Sequence, residues 1–322
     1  MDVNINKITE AVQEKYKNIE KIKGEFETVI VGLDILFNRM ISAILTGGHL
    51  LVEGVPGLAK TLSINTLAEI LELDFKRIQF TPDMLPADIR GTMIYNQTKG
   101  EFDVKKGPIF SNFILADEIN RAPAKVQSAL LESMQEKTVT IGDNTFELTK
   151  PFFVMATQNP IEQEGTYNLP EAQTDRFYMK VLISYPSQSE EKRIINRLSG
   201  LTYPKPKKIL GTKQLLEMQK VVEEIYVDEK IVEYIVDLVF ATRNYDKNFV
   251  KYGASPRASI NFIRAAKVEA FLDGRGYVIP EDVKNVSYDI LRHRILVSFE
   301  AEAEGLTSEN IIESILNQVE IP

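Results

Sequence analysis

Apolar residues fall into short runs at residues 50–52, 77–80, 113–116, 152–156 and 180–183, separated by stretches with three-to-four-residue apolar spacing. Runs this short, alternating with helical periodicity, predict a mainly parallel sheet covered on both faces by helices. Two intervals break the rhythm. Residues 93–104 read as strand, turn at Thr98-Lys99-Gly100, strand, and residues 138–148 repeat the pattern around Gly142-Asp143-Asn144. Both are predicted β-hairpins inserted into otherwise helical connections. Ahead of the alternation, Ile8, Val12 and Ile19 lie among charges in residues 6–23 and predict one amphipathic helix.

Composition shifts near Pro186 and again across Tyr203-Pro204-Lys205-Pro206-Lys207-Lys208. Beyond that point residues 215–222, 228–243, 256–272, 280–286 and 308–319 all carry helical spacing. The expected organisation is an N-terminal helix over residues 1–26, an α/β core over 27–187 and a smaller all-helical domain over 188–322. A length of 322 residues suits two domains. The stripe Ile231, Ile235, Leu238 and Val239 reads as core rather than as a partner groove.

With 44% hydrophobic and 26% charged residues, the chain has the balance of a soluble globular protein. No apolar run reaches the roughly 20 residues that span a bilayer. The first 25 residues lack a signal-peptide core, so a cytoplasmic location is expected. Cysteine is absent, which removes disulfides, thiolate metal sites and a cysteine nucleophile together. His49 and His293 stand far apart and predict no histidine-rich metal site. The net charge of −8 and pI near 5.2 argue against a nucleic-acid partner, because affinity for phosphate backbones comes mostly from basic excess.

One segment carries specific chemistry. Gly54-Val55-Pro56-Gly57-Leu58-Ala59-Lys60-Thr61 follows a predicted strand and leads into a helix from about Leu62. The phosphate-binding pattern G-x-x-x-x-G-K-[ST] has this strand–loop–helix setting. Small residues let successive N–H groups converge on one phosphate, and the helix N-terminus adds a favourable dipole. Lys60 would reach the β- and γ-phosphates, and the Thr61 hydroxyl would take a Mg²⁺ position. The pattern's second glycine is here Ala59. Alanine is tolerated there with helical dihedrals but not where positive φ is required. A chance turn is the competing reading, and the flanking strand and helix favour phosphate binding.

The run at residues 113–116 ends in Asp117-Glu118, at the edge where parallel sheets bind ligands. Asp117 would hold Mg²⁺ and Glu118 would polarise the attacking water. Alone, such a pair reads as a solvated strand end; joined to the upstream loop it reads as catalytic. Asn159, after the run at residues 152–156, can bond a water or the γ-phosphate, but Asn-Pro also initiates turns, and the residues leave both readings open. Arg176 lies at the end of a short helix starting near Pro170. Arg257 opens a helix capped by Ser255 with Pro256 at its first position. Arginine is the best phosphate clamp, yet most surface arginines are only solvated.

Taken together these segments resemble the AAA+ ATPases, and within them the MoxR family, over residues 29–321. The resemblance rests on the loop at 54–61 with its alanine, on Gln79-Phe80-Thr81-Pro82-Asp83-Met84-Leu85-Pro86-Ala87-Asp88-Ile89, and on Gly107-Pro108-Ile109-Phe110. It also rests on Ala116-Asp117-Glu118-Ile119-Asn120-Arg121-Ala122, Ala156-Thr157-Gln158-Asn159-Pro160 and Leu169-Pro170-Glu171-Ala172-Gln173-Thr174-Asp175-Arg176-Phe177.

The resemblance implies an AAA+ α/β core with inserted hairpins followed by a helical lid. It makes Ala59 the family's own form of the loop. Lys60 and Thr61 match Walker A, Asp117 and Glu118 match Walker B, and Asn159 matches sensor 1. Arg176 matches the arginine finger that reaches a neighbouring subunit's nucleotide, and Arg257 matches sensor 2. Val31 and Gly32 fall where such proteins place a loop near adenine. The hairpins would face the central pore of a ring. ATP and Mg²⁺ are the implied cofactors, a homo-oligomeric ring of six the implied assembly, and the implied activity is chaperone-like remodelling with a von Willebrand factor A domain protein or another protein client as partner.

Three rivals are weaker. A nucleic-acid motor such as the minichromosome maintenance helicases needs basic hairpins, but residues 93–104 carry one lysine against two acidic residues, and residues 138–148 carry two acidic residues and no base. The ATPase subunit of magnesium chelatase shares the hairpins, but its motif wording fits less well. A nucleotide-locked scaffold would not be expected to keep every one of Lys60, Asp117, Glu118, Asn159, Arg176 and Arg257.

Overall fold

Each of the five apolar runs supplies one strand of a single parallel sheet. The computed structural model describes residues 4–98, 100–160, 166–199 and 204–322; Lys99 of the first predicted turn and Tyr203 of the composition shift lie outside the described residues. The chain opens with helices α1 (Ile5–Val29) and α2 (Asp34–Thr46), strand β1 (Leu50–Glu53), α3 (Lys60–Ile70), β2 (Phe75–Gln79) and α4 (Pro86–Arg90). A hairpin of β3 (Gly91–Asn96) and β4 (Glu101–Lys106) precedes β5 (Phe113–Asp117) and α5 (Ala124–Glu136). A second hairpin, β6 (Thr138–Ile141) and β7 (Asn144–Glu147), leads to β8 (Phe153–Gln158), α6 (Glu171–Thr174) and β9 (Met179–Leu182). The remainder is α7 (Gln188–Leu198), α8 (Thr212–Glu224), α9 (Glu229–Asn244), β10 (Val250–Tyr252), α10 (Pro256–Leu272), α11 (Pro280–Leu291), β11 (Leu296–Val297), α12 (Phe299–Ala303) and α13 (Ser308–Gln318).

The sheet runs β2-β5-β8-β1-β9, every neighbour parallel. Alternation along each strand divides the core in two. Leu50, Val52, Phe113, Leu115, Phe153, Met155, Met179 and Val181 face one side, where α1, α2 and α3 cover them, and that apolar cluster continues without a break into α8, α9, α10, α11 and α13. Leu51, Ile114, Ala116, Val154 and Ala156 face the other side, against Val126 and Leu130 of α5 and Val139 and Ile141 of β6. Burial on both faces explains why the strands read as continuous apolar runs rather than alternating ones.

Helix α1 runs six residues past the predicted end, because Phe26 and Val29 extend the buried stripe begun by Val12, Ile19 and Ile22. It packs against α3 and α8 of its own chain. Both predicted hairpins form, with registers Met93↔Val104 and Val139↔Phe146. The helical region also holds the antiparallel ladder β10–β11, where Val250 pairs Val297, which the all-helical expectation lacked. Strands of three and two residues are too short to show a period. Among the described residues no helix is long and apolar enough to cross a membrane.

Candidate functional site

Strand order assembles the site. β8 lies between β1 and β5, so the loop after β1 and the carboxylates ending β5 flank the end of β8. Residues from all three meet in a cleft of about 410 Å³ lined by Gly57 to Leu62, Asp117, Glu118, Thr157, Gln158 and Asn159. Gly54 begins the loop where a Cβ would stand 2.7 Å from the Ile183 carbonyl, so only glycine permits the approach to β9. Lys60 is the first residue of α3, and its ammonium donates to the Gly54 carbonyl at 2.6 Å. Burial lowers the Lys60 pKa, opposed by the nearby Asp117 and Glu118 charges.

Ala59 departs from the condition stated for it. Its φ of 54° and ψ of 21° are left-handed, the conformation in which alanine should not be tolerated. The cost of placing an L-residue there is about 1–2 kcal/mol. The Ala59 carbonyl compensates in part by accepting both the N–H and the hydroxyl of Ser63, at 2.9 and 3.0 Å. Glu118 is strained in the same way, at φ 56° and ψ 52°. Left-handed non-glycine residues cluster at functional sites.

The carboxylates are tightly oriented. One Asp117 oxygen accepts the Thr157 hydroxyl at 2.6 Å, and the other accepts Arg77 through Nε at 3.1 Å and Nη2 at 2.7 Å. Glu118 accepts Gln79 Nε2 at 2.8 Å and Arg121 Nη1 at 3.1 Å. Thr157, Arg77, Gln79 and Arg121 were not among the residues singled out from sequence for the site. Gln79 and Asp117 are register partners across β2 and β5, a pairing that follows from strand order and not from spacing. Asn159 is buried at the cleft wall.

A second chamber of about 490 Å³ adjoins the first, sharing Gly57, Leu58, Ala59 and Leu62. It is mainly apolar and is lined by Val31, Gly32, Ile35, Leu182, Tyr185 and Ile194 among others. Val31 and Gly32 thus share a cavity with Gly57, Leu58 and Ala59 of the loop after β1. Leu182, Tyr185 and Ile194 went unnoticed, since apolar residues on a strand end and a following helix carry no signal of their own. An apolar compartment joined to a polar one lined by a lysine and two carboxylates suits a nucleotide.

Arg176 and Arg257 do not line either chamber. Arg176 is exposed just after α6. Arg257, at the start of α10, donates to Asp175 at 3.4 Å. The same carboxylate accepts Ser255 Oγ at 3.0 and 2.9 Å and the buried Arg294 at 2.9 Å. Burial lowers the Arg294 pKa to about 10, with Asp175 opposing. The two predicted phosphate-sensing arginines therefore stand beside one aspartate, outside the cleft of their own chain.

Comparisons with known proteins agree with this geometry. Residues 49–179 match the family described as "ATPase family associated with various cellular activities (AAA)", and residues 244–315 match the "AAA lid domain". The chain is 50% identical over 320 residues to Chaperone MoxR1 of Mycobacterium tuberculosis, covering 97% of this chain and 85% of that protein. It is 27% identical over 303 residues to Protein MoxR of Methylorubrum extorquens, covering 86% and 87%. The crystal structure of a candidate ATPase from Cytophaga hutchinsonii superposes with a TM-score of 0.91 at 53% identity, over 98% of both chains.

Proposed function

Because the chain belongs to the MoxR family of AAA+ ATPases, we propose that it hydrolyses Mg-ATP in a homo-oligomeric ring of six subunits and uses the cycle to remodel client proteins. The clients proposed are proteins bearing von Willebrand factor A domains, the class implied by the family resemblance. Since ATP is the substrate, the cytoplasm is the proposed setting. One observation carries the reading: Lys60 and Thr61 face Asp117 and Glu118 across one cleft, while neither Arg176 nor Arg257 lines it, Arg257 instead donating to Asp175 beside Arg176.

In this reading Val31 and Gly32 hold adenine in the apolar chamber, and the backbone from Gly54 through Val55 and Pro56 to Leu62 wraps the phosphates. Lys60 leaves the Gly54 carbonyl to meet the terminal phosphates. Thr61 and Asp117 would hold Mg²⁺. A hydroxyl and one carboxylate suit this ion, which keeps several waters and takes few protein ligands; the described residues offer no cluster of three or more His, Cys, Asp or Glu. When bound, Mg²⁺ supplies charge neutralisation at the phosphate oxygens. Glu118, steered by Gln79 and Arg121, accepts a proton from the attacking water, and Asn159 orients that water. Arg176 and Arg257 serve the nucleotide of an adjacent subunit.

The test is Mg²⁺-dependent ATP hydrolysis per subunit over a wide range of protein concentration, with Glu118→Gln and Arg176→Ala alongside. A specific rate that climbs with concentration and vanishes in both variants supports a ring with a finger in trans, worth roughly 10³–10⁵ in rate. Hydrolysis independent of concentration and indifferent to Arg176 would sink the ring. The client class is tested by pull-down on ATP-loaded Glu118→Gln with a purified von Willebrand factor A domain protein; no capture of it rejects that part.

A further inference from the structure

The segment that carries Arg176 is held by a single buried cation. Arg294, three residues past α11, is buried with its side chain wholly inaccessible. Its Nη2 donates to the carbonyls of Asp175 at 3.1 Å and Phe177 at 2.6 Å, the residues on either side of Arg176. Its Nε donates to the Asp175 carboxylate at 2.9 Å, and its Nη1 to the carbonyls of Tyr178 and Ile290. All three nitrogens are thus committed, and most of their acceptors lie within the four residues 175–178. Such a burden for one buried cation exceeds what a plain ion pair with Asp175 requires.

We propose that Arg294 is the positioning residue of the arginine finger: it fixes the backbone on both sides of Arg176 and ties that segment to the end of α11. The proposal rests on the reading of Arg176 as a finger acting on a neighbouring subunit. Asp175 completes the clamp by joining Arg294 to Ser255 and Arg257 at the start of α10. The two arginines that leave their own subunit's cleft are therefore set by one junction, and a movement of α10 and α11 carries both.

Only a planar fork reaches these acceptors together, so lysine cannot replace Arg294 although it keeps the charge. A misplacement of about 1 Å costs on the order of 10²-fold in rate. Arg294→Lys is therefore expected to lose about 10²-fold in turnover while its affinity for a fluorescent ATP analogue stays within about twofold. The decisive readout is mixing before ring assembly. Glu118→Gln has an idle site and an intact finger; Arg294→Lys would have a working site and a displaced finger. Their mixture should exceed either variant alone, as should a mixture of Glu118→Gln with Arg176→Ala.

Wild-type turnover in Arg294→Lys overturns the proposal. So does failure of that mixture where the Arg176→Ala mixture succeeds, since the residue would then merely support the fold. If the Arg176→Ala mixture itself stays inactive, the finger in trans is wrong and the clamp falls with it, a different result from the first two. Should Arg294→Lys not fold, as judged by its melting profile, the isosteric Asp175→Asn enters the same mixtures with the same outcomes deciding.

Discussion

The hydroxyl of Thr157 donates to Asp117 at 2.6 Å and on its other side accepts the N–H of Glu118 at 2.9 Å. One buried side chain at the end of β8 thereby fixes both carboxylates at the end of β5. Thr157→Val keeps the shape and removes both bonds. It should cost about 1–2 kcal/mol in stability and lower kcat at least tenfold, roughly the effect of about 1.4 kcal/mol on the barrier, with little change in KM. Steady-state kinetics beside Thr157→Ser, which retains the hydroxyl, checks this. Equal kcat in the valine and serine variants would show that the bridge does not position the pair.

Gly32 has a φ of +73°, and a Cβ there would stand 2.5 Å from a carboxylate oxygen of Glu190. Glu190 is not free to retreat, because its other oxygen accepts the N–H and the hydroxyl of Ser187, each at 2.7 Å. Gly32→Ala should therefore distort the wall of the apolar chamber. The left-handed backbone alone costs about 1–2 kcal/mol, and nucleotide affinity should weaken by about tenfold if this cost falls on the bound state. Titration with a fluorescent ATP analogue reads the change; unaltered affinity would remove Gly32 from the base site.

Arg39 joins α2 to the lid helices through Asp289 at 2.6 Å, Glu269 at 2.8 Å and the Asn285 carbonyl at 2.7 Å. Burial pushes the Glu269 carboxyl up, and Arg39 only partly offsets it. Arg39→Met leaves two buried carboxylates with less compensation and should destabilise by about 3–5 kcal/mol, as broken buried pairs do. Chemical denaturation measures this. A loss below about 1 kcal/mol would mean that Arg292, the remaining cation on Asp289, suffices alone.

His49 is buried between two backbone groups: Nδ1 accepts Val154 N–H at 3.1 Å, and Nε2 donates to the Met134 carbonyl at 3.2 Å. Burial draws its pKa from 6.5 down to about 4. A second proton on Nδ1 would oppose the Val154 N–H. The unfolded chain thus binds a proton that the folded chain refuses, so stability falls as pH drops from 6.5 to 4 and this contribution levels off below 4. The total is about 3 kcal/mol by linkage. His49→Asn keeps an acceptor for Val154 without titrating, so its stability should depend less on pH across that window. An unchanged slope would assign the acid sensitivity elsewhere.

The fold class and the candidate phosphate loop were legible because each is written in contiguous residues: apolar runs for strands, small residues and a lysine for the loop. What escaped was set by neighbours distant in sequence. Arg77 and Gln79 face the carboxylates only because β2 lies beside β5, and Thr157 bridges them only because β8 comes next. Arg294 is one of three basic residues in Arg292-His293-Arg294, and nothing in that string marks which is buried against residues 175–178. Ala59 shows a different limit. Its dihedral preference was stated correctly, yet the loop holds it against that preference, and local propensity could not reveal that the surroundings would do so.

The sharing of Gly57, Leu58, Ala59 and Leu62 between the two chambers bears on turnover. ADP and ATP are identical where they would meet Val31, Gly32 and Tyr185, so on the proposed reading the apolar chamber would hold product as firmly as substrate. Preference for ATP would then arise where the terminal phosphate is met, from Lys60, Glu118 and Asn159 of the polar chamber and from the arginines of the adjacent subunit. On that reading a nucleotide that has lost its terminal phosphate would stay held at the base, and exchange would depend on its release from the apolar chamber, whose far wall is built from the end of β9 and from α7.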